Sequence, residues 1–191
     1  MEHRMKEYGI GLSGGGGVSD WFDRALRDVT GVSGTWEVRG YVGLNKPIGL
    51  EVAYVGRASS FNPPLGPDIS STLVGNGVEA AGRLNVFHDL VVQPYGIIGI
   101  GWMHFTATNN VNLTDFGTDN SDDVVEIPLG AGASYKGPYN LLFDVRFTFR
   151  PVLNEHMIVG EAVTVNGVPV VTTPFLDMDT WEASGRIGYQ F

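Results

Sequence analysis

The sequence of 191 residues contains no cysteine, which excludes disulfide bonds, a thiol nucleophile and cysteine metal ligands. It has no uninterrupted apolar run of the roughly 18 residues that a transmembrane helix needs. Basic residues are few, with 12 Lys and Arg against 21 Asp and Glu, and the lack of a basic stripe argues against nucleic-acid binding. Residues 1–7 lack the apolar core of a signal peptide, so we expect this to be the sequence of a mature protein.

The sequence does contain a repeated alternation of apolar and polar residues, which is the period of two of a β-strand. The final segment shows it well, because Trp181, Ala183, Ile187, Tyr189 and Phe191 alternate with residues that are polar or small. The same alternation predicts eight strands, over approximately residues 7–17, 34–44, 48–58, 72–86, 91–106, 124–135, 139–151 and 180–191.

The charged residues of these strands all lie on the polar face, with acids and bases in balance. An Arg or Lys that faces lipid at the bilayer midplane costs about 2–4 kcal/mol. The uncharged face is therefore predicted to face lipid, and the charged face to line a lumen. An eight-stranded barrel is only wide enough to be filled by side chains, so we expect the charges to form a plug of ion pairs. The expected lumen network is Glu37, Arg39, Glu51, Arg57, Glu79, Arg83, Glu126, Asp144, Arg146, Arg150, Glu182 and Arg186.

The connections alternate between short and long, which is the rhythm of an even-stranded barrel. Short turns are predicted at 44–47, 87–89 and 135–138, and long external loops at about 18–33, 59–71, 107–123 and 152–179, with residues 1–6 as a tail. The last loop contains Asn166-Gly167 between valine-rich segments, which predicts a hairpin. The predicted fold is thus all-β: a single domain over 1–191 that forms an eight-stranded antiparallel up-and-down transmembrane β-barrel.

Aromatic residues near the strand ends predict two belts at the membrane interfaces. The faces of the fifth strand stay unassigned, because apolar residues occupy both. In the second strand, Leu44 is expected to face outward together with Val42. The belt at the turn rim would be Tyr8, Phe87, Tyr95, Tyr135, Tyr139, Tyr189 and Phe191, and the belt at the loop rim Trp36, Trp102, Phe105, Phe149 and Trp181.

The terminal Tyr189-x-Phe191 and the segment Gln93-Pro94-Tyr95-Gly96-x-x-Gly99-x-Gly101 resemble the small eight-stranded outer-membrane barrels of Gram-negative bacteria, the family of the OmpA transmembrane domain and OmpX. The resemblance covers nearly the whole chain. It implies location in the outer membrane among lipid and lipopolysaccharide, with both termini in the periplasm. It also implies insertion by the barrel-assembly machinery, with Tyr189 and Phe191 as the assembly signal.

Within this class we expect a non-enzymatic protein with a structural or surface-interaction role, whose external loops bind any extracellular partner. One alternative is a small passive channel or a carrier of small hydrophobic molecules. That carrier would need an apolar pocket inside the barrel, whereas we expect a charged interior.

A second alternative is a lipid-modifying enzyme, for which His104-Phe105-Thr106 is the nearest motif, although the sequence offers no obvious acid to orient His104. Asp119, Asp122 and Asp123 could offer carboxylates to a divalent cation, but their spacing does not match an EF-hand loop. We therefore expect no catalytic, cofactor or metal site.

Overall fold

The computed structural model describes residues 8–24, 27, 30–61, 71–87, 89–108, 121–153, 161–165, 168–172 and 178–191. Eleven strands occur in these ranges, and a short 3-10 turn at Pro138–Asn140 joins two of them. The strands are β1 (Gly11–Trp21), β2 (Ser33–Val42), β3 (Ile48–Phe61), β4 (Ser71–Asn85), β5 (Val92–Thr108), β6 (Ser121–Glu126), β7 (Leu129–Lys136), β8 (Leu141–Arg150), β9 (Glu161–Val165), β10 (Val168–Thr172) and β11 (Thr180–Gln190).

Nine of these strands form one closed antiparallel barrel, in the order β4-β3-β2-β1-β11-β8-β7-β5-β6, with β4 also paired to β5. The first and last strands close the ring, with Gly11 opposite Gln190 and Trp21 opposite Thr180. The remaining two strands, β9 and β10, pair as the hairpin that the sequence predicts in the last loop. Among the described residues, no helix is long and apolar enough to cross a membrane.

The barrel wall consists of eight strands because β6 and β7 are two parts of one strand. Both pair with β5 in a single register, which runs from Gly101 opposite Glu126 to Ile98 opposite Leu129. Only residues 127 and 128 fall outside the strand assignment. Pro128 has no backbone N–H to donate to the ladder, which accounts for the interruption.

Strand β1 lies about four residues further along the chain than the sequence predicted. The prediction ended it at Gly17 because the glycines that precede Val18 carry no hydropathy signal. In the structure the alternation continues through buried Ser19 to buried Trp21. Glycine is required at residue 17, since a Cβ there would collide with the carbonyl oxygen of Ala183 on β11.

The two ends of the barrel differ. The long connections leave one end, hereafter the loop end, while the turns after β2, β4 and β7 form the opposite turn end, where Phe191 donates a backbone hydrogen bond to Ile10. Three predicted loops are longer than the observed connections, because β1, β3, β4, β5 and β6 extend into them. These loops are 18–33, 59–71 and 107–123.

The outward and inward faces follow the predicted alternation. Val52 is 64% exposed, and Ile98 and Ile100 are 63% and 60% exposed, on the outside of the barrel. The charged side chains between them are buried, as Glu51 and Arg39 illustrate with 1% exposure each. Apolar side chains directed outward and ions directed inward are the reverse of a water-soluble barrel, and they match a barrel surrounded by lipid.

Candidate functional site

The interior of the barrel is a connected set of ion pairs. The structure buries all twelve charged residues expected in the lumen, and each makes at least one ion pair within 4.0 Å. Arg39 is a hub, because it donates hydrogen bonds to the carboxylates of Glu37, Glu51 and Glu79 at 2.7, 3.1 and 2.8 Å. These three acids belong to β2, β3 and β4, so one guanidinium links three neighbouring strands.

Toward the loop end, Arg150 continues the network. Its Nε donates to Glu79 at 2.8 Å, and its Nη1 donates to Glu182 at 2.7 Å. Nη2 of Arg57 donates to both carboxylate oxygens of Glu126, each at 2.9 Å, in an ion pair that spans the lumen from β3 to β6. Hydrogen bonds between ionised groups are roughly twice as strong as those between neutral groups.

Toward the turn end, Glu51 accepts hydrogen bonds from Arg83 at 3.0 Å and from Arg146 at 2.7 and 2.8 Å. The ring of Tyr95 contacts both cations, with the guanidinium carbons of Arg83 and Arg146 3.5 Å and 5.1 Å from its centroid. The hydroxyl of Tyr95 donates to Asp144 at 2.8 Å and accepts from Arg146 at 2.9 Å. A hydrogen-bonded network of this kind favours one arrangement of side chains.

The remaining ion pairs connect β11 with β8 and β2. The two Nη atoms of Arg186 on β11 lie 2.7 Å from Asp144 and 3.2 Å from Glu37. Every acid of the network therefore touches an arginine of another strand, and the six acids balance the six arginines. The interior is formally neutral.

An apolar cluster fills the interior at the loop end, which corrects the expectation of a charged lumen throughout. The side chains of Trp21 and Phe105 are each 1% exposed, and their ring centroids lie 6.0 Å apart. The sequence signal for Trp21 was its place in the period of two, four residues beyond the predicted end of β1. This loop-end cluster consists of Trp21, Ala53, Val55, Leu73, Met103, Phe105, Val124 and Met178.

A second apolar cluster, the turn-end cluster, closes the opposite mouth with Tyr41, Leu44 and Leu142. Leu44 was expected to face lipid, but it is 1% exposed inside the barrel. The cause lies in the turn, because Gly43 has a φ of +91° and redirects the chain inward after Val42.

The predicted aromatic belts are wrong at two positions. Tyr95 and Phe105 are 3% and 1% exposed and point into the barrel. Both belong to β5, the strand whose faces the sequence left open, and the outward side of β5 carries Ile98, Ile100 and Trp102 instead.

The candidate metal ligands do not come together in the described part of the chain. Asp119 lies outside the described residues. Asp122 accepts a hydrogen bond from the backbone N–H of Asp123, while Asp123 binds Nδ1 of His104 at 2.8 Å. No group of three or more potential ligands that could hold a metal occurs among the described residues.

The same contact supplies the orienting acid that the sequence did not reveal for His104. The pair is solvent-accessible, with the His104 side chain 43% and that of Asp123 60% exposed. Among the hydrogen bonds of the described residues, none joins His104 to a serine or threonine hydroxyl. The contact lies on the surface beside Trp102, whose ring stacks on the imidazole.

The aromatic pair at the end of β11 is exposed on the outer face, with Tyr189 and Phe191 each 44% accessible and their rings 5.5 Å apart.

The net charge of −9 lies outside the balanced interior. The four long connections predicted from the sequence carry twelve acidic and two basic residues. The termini and short turns carry three acidic and four basic residues. By sequence, the long connections are thus strongly acidic, and the termini and short turns are nearly neutral.

A family model described as the outer membrane protein beta-barrel domain matches residues 5–191. No curated protein matches the sequence significantly.

Several solved outer-membrane proteins have a similar structure. OprG from Pseudomonas aeruginosa has a TM-score of 0.65 at 14% identity, and the match covers 96% of each chain. Ail, the attachment invasion locus protein of Yersinia pestis, has a TM-score of 0.57 at 13% identity, covering 96% of this chain and 99% of Ail. Neisserial surface protein A has a TM-score of 0.55 at 12% identity, covering 96% and 97%. Ail has also been solved in complex with the heparin analogue sucrose octasulfate. Identities this low carry the fold and not the activity.

Proposed function

The chain belongs to the outer membrane protein β-barrel domain family, and from this premise we propose that it is a non-enzymatic surface-interaction protein whose barrel is a closed anchor and whose long loops bind the partner. The observation that carries the proposal is the division of charge. The lipid-facing wall is uncharged and the lumen is neutral, while the loop end holds twelve acids and two bases. Loops on a rigid scaffold are the usual place for recognition.

The same charge distribution restricts the partner. Surfaces of one sign attract the opposite sign over about one Debye length, roughly 8 Å at physiological ionic strength. A surface this acidic repels sulfated or phosphorylated polyanions, and it therefore differs in ligand preference from the Ail complex with a heparin analogue. We propose a positively charged extracellular partner, with lipopolysaccharide phosphates approached only through bridging divalent cations.

Cells that display the protein provide the test. We expect them to bind a polycationic surface such as immobilised polylysine more strongly than cells without it, and a heparin surface no more strongly. Replacing Asp122, Asp123 and Asp179 by Asn should reduce the binding, and added salt should weaken it. The matched control is Asp89→Asn, which removes one acid from the turn end. Equal binding by the loop variant and the wild type would contradict the proposal.

Orientation is part of the proposal. The loop end faces the medium, and the termini lie in the periplasm. Protease added to intact cells should cleave within the long loops and should leave a tag placed before Tyr8 intact.

One observation favours a second candidate, a carrier for small hydrophobic molecules. The loop-end cluster supplies eight buried apolar side chains inside the barrel, and such a carrier requires an apolar lining there. Trp21 packs against Phe105 in this cluster, so a ligand would have to displace a large ring.

Uptake of indole by proteoliposomes tests this candidate. A carrier predicts faster entry than into empty liposomes and a further increase with Trp21→Ala, which removes the ring from the path. Trp36→Ala is the matched control, because Trp36 lies on the outer face with 40% exposure. Uptake equal to that of empty liposomes would exclude the carrier and leave the surface-interaction role.

A further inference from the structure

The turn between β2 and β3 folds into the mouth of the barrel at the turn end. It comprises residues 43–47, and we call it the stopper turn. Gly43 has a φ of +91°, a conformation that residues with a side chain rarely adopt. Leu44 follows it with 1% exposure and packs in the turn-end cluster with Tyr41 and Leu142. The stopper turn therefore places an apolar side chain in the mouth, besides joining two strands.

Lys136 holds the stopper turn from the opposite wall of the barrel. It is the last residue of β7, which lies four strands from β2 in either direction around the ring. Its ammonium group donates hydrogen bonds to the side-chain oxygen of Asn45 and, at 3.5 Å, to the main-chain oxygen of Leu44. One side chain thus crosses the mouth and binds the turn on its far side.

Asn85, at the end of β4, connects the stopper turn to the ionic network. Its Nδ2 donates to the main-chain oxygens of Gly43 and Lys46 at 3.2 and 2.8 Å. Its Oδ1 accepts a hydrogen bond of 2.6 Å from Nε of Arg83, whose Nη1 donates to Glu51 at 3.0 Å. The position of the turn is therefore coupled to that of a charged side chain in the lumen.

The segment that precedes β1 packs against a third side of the stopper turn. The backbone N–H of Leu44 donates to the carbonyl oxygen of Gly9 at 3.0 Å. Gly9 has a φ of +70°, and a Cβ at this position would lie 2.6 Å from the backbone nitrogen of Asn45. Because no side chain fits between the two segments, the closed turn requires glycine at residue 9.

The contacts of the stopper turn are fewer than those of a barrel strand. A strand is hydrogen-bonded along its length to two neighbours, whereas among the described residues the turn is held chiefly by Lys136, Asn85, Gly9 and the side chain of Leu44. Segments with few contacts open locally at a lower free energy than the whole fold. We propose that the stopper turn is a hinged closure of the turn-end mouth, with Gly43 at the hinge and Lys136 as the latch.

Opening of the turn would give the medium at the turn end access to the ionic network. When Leu44 swings out, Tyr41 loses its cover, and the guanidinium carbon of Arg83 lies 5.7 Å from the centroid of the Tyr41 ring. Small solutes would then reach Arg83 and Glu51 from that side, while the loop-end cluster still fills the other mouth. The closure does not depend on the binding role proposed for the long loops.

A single cysteine reports the position of the turn, because the chain has no cysteine of its own. Leu44→Cys in proteoliposomes should react with N-ethylmaleimide much more slowly than the same variant unfolded in urea. Adding Lys136→Met keeps the aliphatic stem but removes the latch. The labelling rate should then rise on the order of 10- to 100-fold, as expected when hydrogen bonds from a charged group are lost. An unchanged rate would overturn the role of Lys136, and a folded Leu44→Cys variant that reacts as fast as the unfolded one would overturn the closure.

Two controls separate opening of the turn from loosening of the whole barrel. Lys46→Met is the matched change within the turn, because the Lys46 ammonium lies over the ring of Tyr8 at 5.4 Å and does not cross the mouth. It should leave the labelling rate close to that of Leu44→Cys alone. Val124→Cys places the thiol in the loop-end cluster, where Val124 is 0% exposed. This thiol should stay protected when Lys136→Met is added, and equal acceleration at both thiols would overturn the latch.

Asn85→Asp tests the coupling to the lumen. The carboxylate still accepts a hydrogen bond from Arg83, but it has no N–H to donate to the carbonyl oxygens of Gly43 and Lys46. Labelling of Leu44→Cys should therefore accelerate in this background as well. A rate equal to that of Leu44→Cys alone would overturn the connection between the stopper turn and the ionic network.

Discussion

The guanidinium of Arg39 on β2 lies 2.8 Å from the carboxylate of Glu79 on β4, across the intervening strand β3. The contact joins two strands that share no backbone hydrogen bonds, so the lumen network supports the barrel independently of its ladder. A buried ion pair contributes little net stability against an apolar pair of the same shape, but the loss of one partner leaves an uncompensated buried charge.

Arg39→Met is expected to destabilise the barrel by about 3–5 kcal/mol, because it leaves Glu37, Glu51 and Glu79 short of a cation. Urea unfolding in lipid vesicles measures the change. The double variant Arg39→Met with Glu79→Gln should recover part of the lost stability, since it removes one of the carboxylates that Arg39 no longer neutralises. A loss no larger than that of the surface control Lys46→Met would contradict the role of Arg39 as a hub.

Gly17→Ala should destabilise the barrel by about 1–3 kcal/mol, because the new methyl group collides with the carbonyl oxygen of Ala183 and forces β1 away from β11. Gly185→Ala is the matched control. A Cβ at that position meets nothing within 4 Å, so the change should be neutral or slightly stabilising. The temperature at which the band shifts from folded to unfolded mobility in detergent gels ranks the two variants. Equal temperatures would refute the close approach of β1 and β11.

Ile100→Arg tests which face meets lipid. Ile100 is 60% exposed near the middle of β5, where an arginine at the bilayer midplane costs about 2–4 kcal/mol. The same substitution at Phe87, in a turn at the turn end, should cost no more than about 1 kcal/mol because arginine reaches the headgroups there. If both variants unfold at the same urea concentration in vesicles, Ile100 does not face the hydrocarbon region.

Phe191→Ala should slow insertion into the outer membrane with little effect on the stability of barrels already formed. The ring of Phe191 is 44% exposed and contacts Tyr189 on the outer surface, so its removal should cost little packing, whereas the resemblance predicts that it belongs to the assembly signal. Pulse-chase labelling with membrane fractionation measures the rate. Phe87→Ala, which removes an exposed aromatic from the same end, should insert at the wild-type rate, and an equal delay in both would argue against a specific signal.

The sequence predicts most of this fold because lipid imposes a strict rule on one face of each strand. Glu37, Arg39 and Glu51 could be placed in the lumen since no charge is tolerated outside. The rule fails where both faces are apolar. In β5, Tyr95 and Phe105 point inward while Ile98 and Trp102 point outward, and hydropathy cannot separate them.

The site was harder to predict than the fold. Trp21 was hidden by the glycine run before it, and Leu44 was reversed by the positive φ of Gly43. The partner of His104 could not be read from sequence spacing, because Asp123 reaches it only through the pairing of β5 with β6. Alternation determines whether a side chain points inward or outward. Contacts across the lumen depend in addition on the register stagger of all eight barrel strands.

The pairing of β1 with β11 has a consequence for biogenesis. Strand β1, early in the sequence, is bonded to β11, late in it, so both strands keep a bare sheet edge until the two meet. Such edges invite self-association, so the protein is most prone to aggregate before β1 and β11 pair.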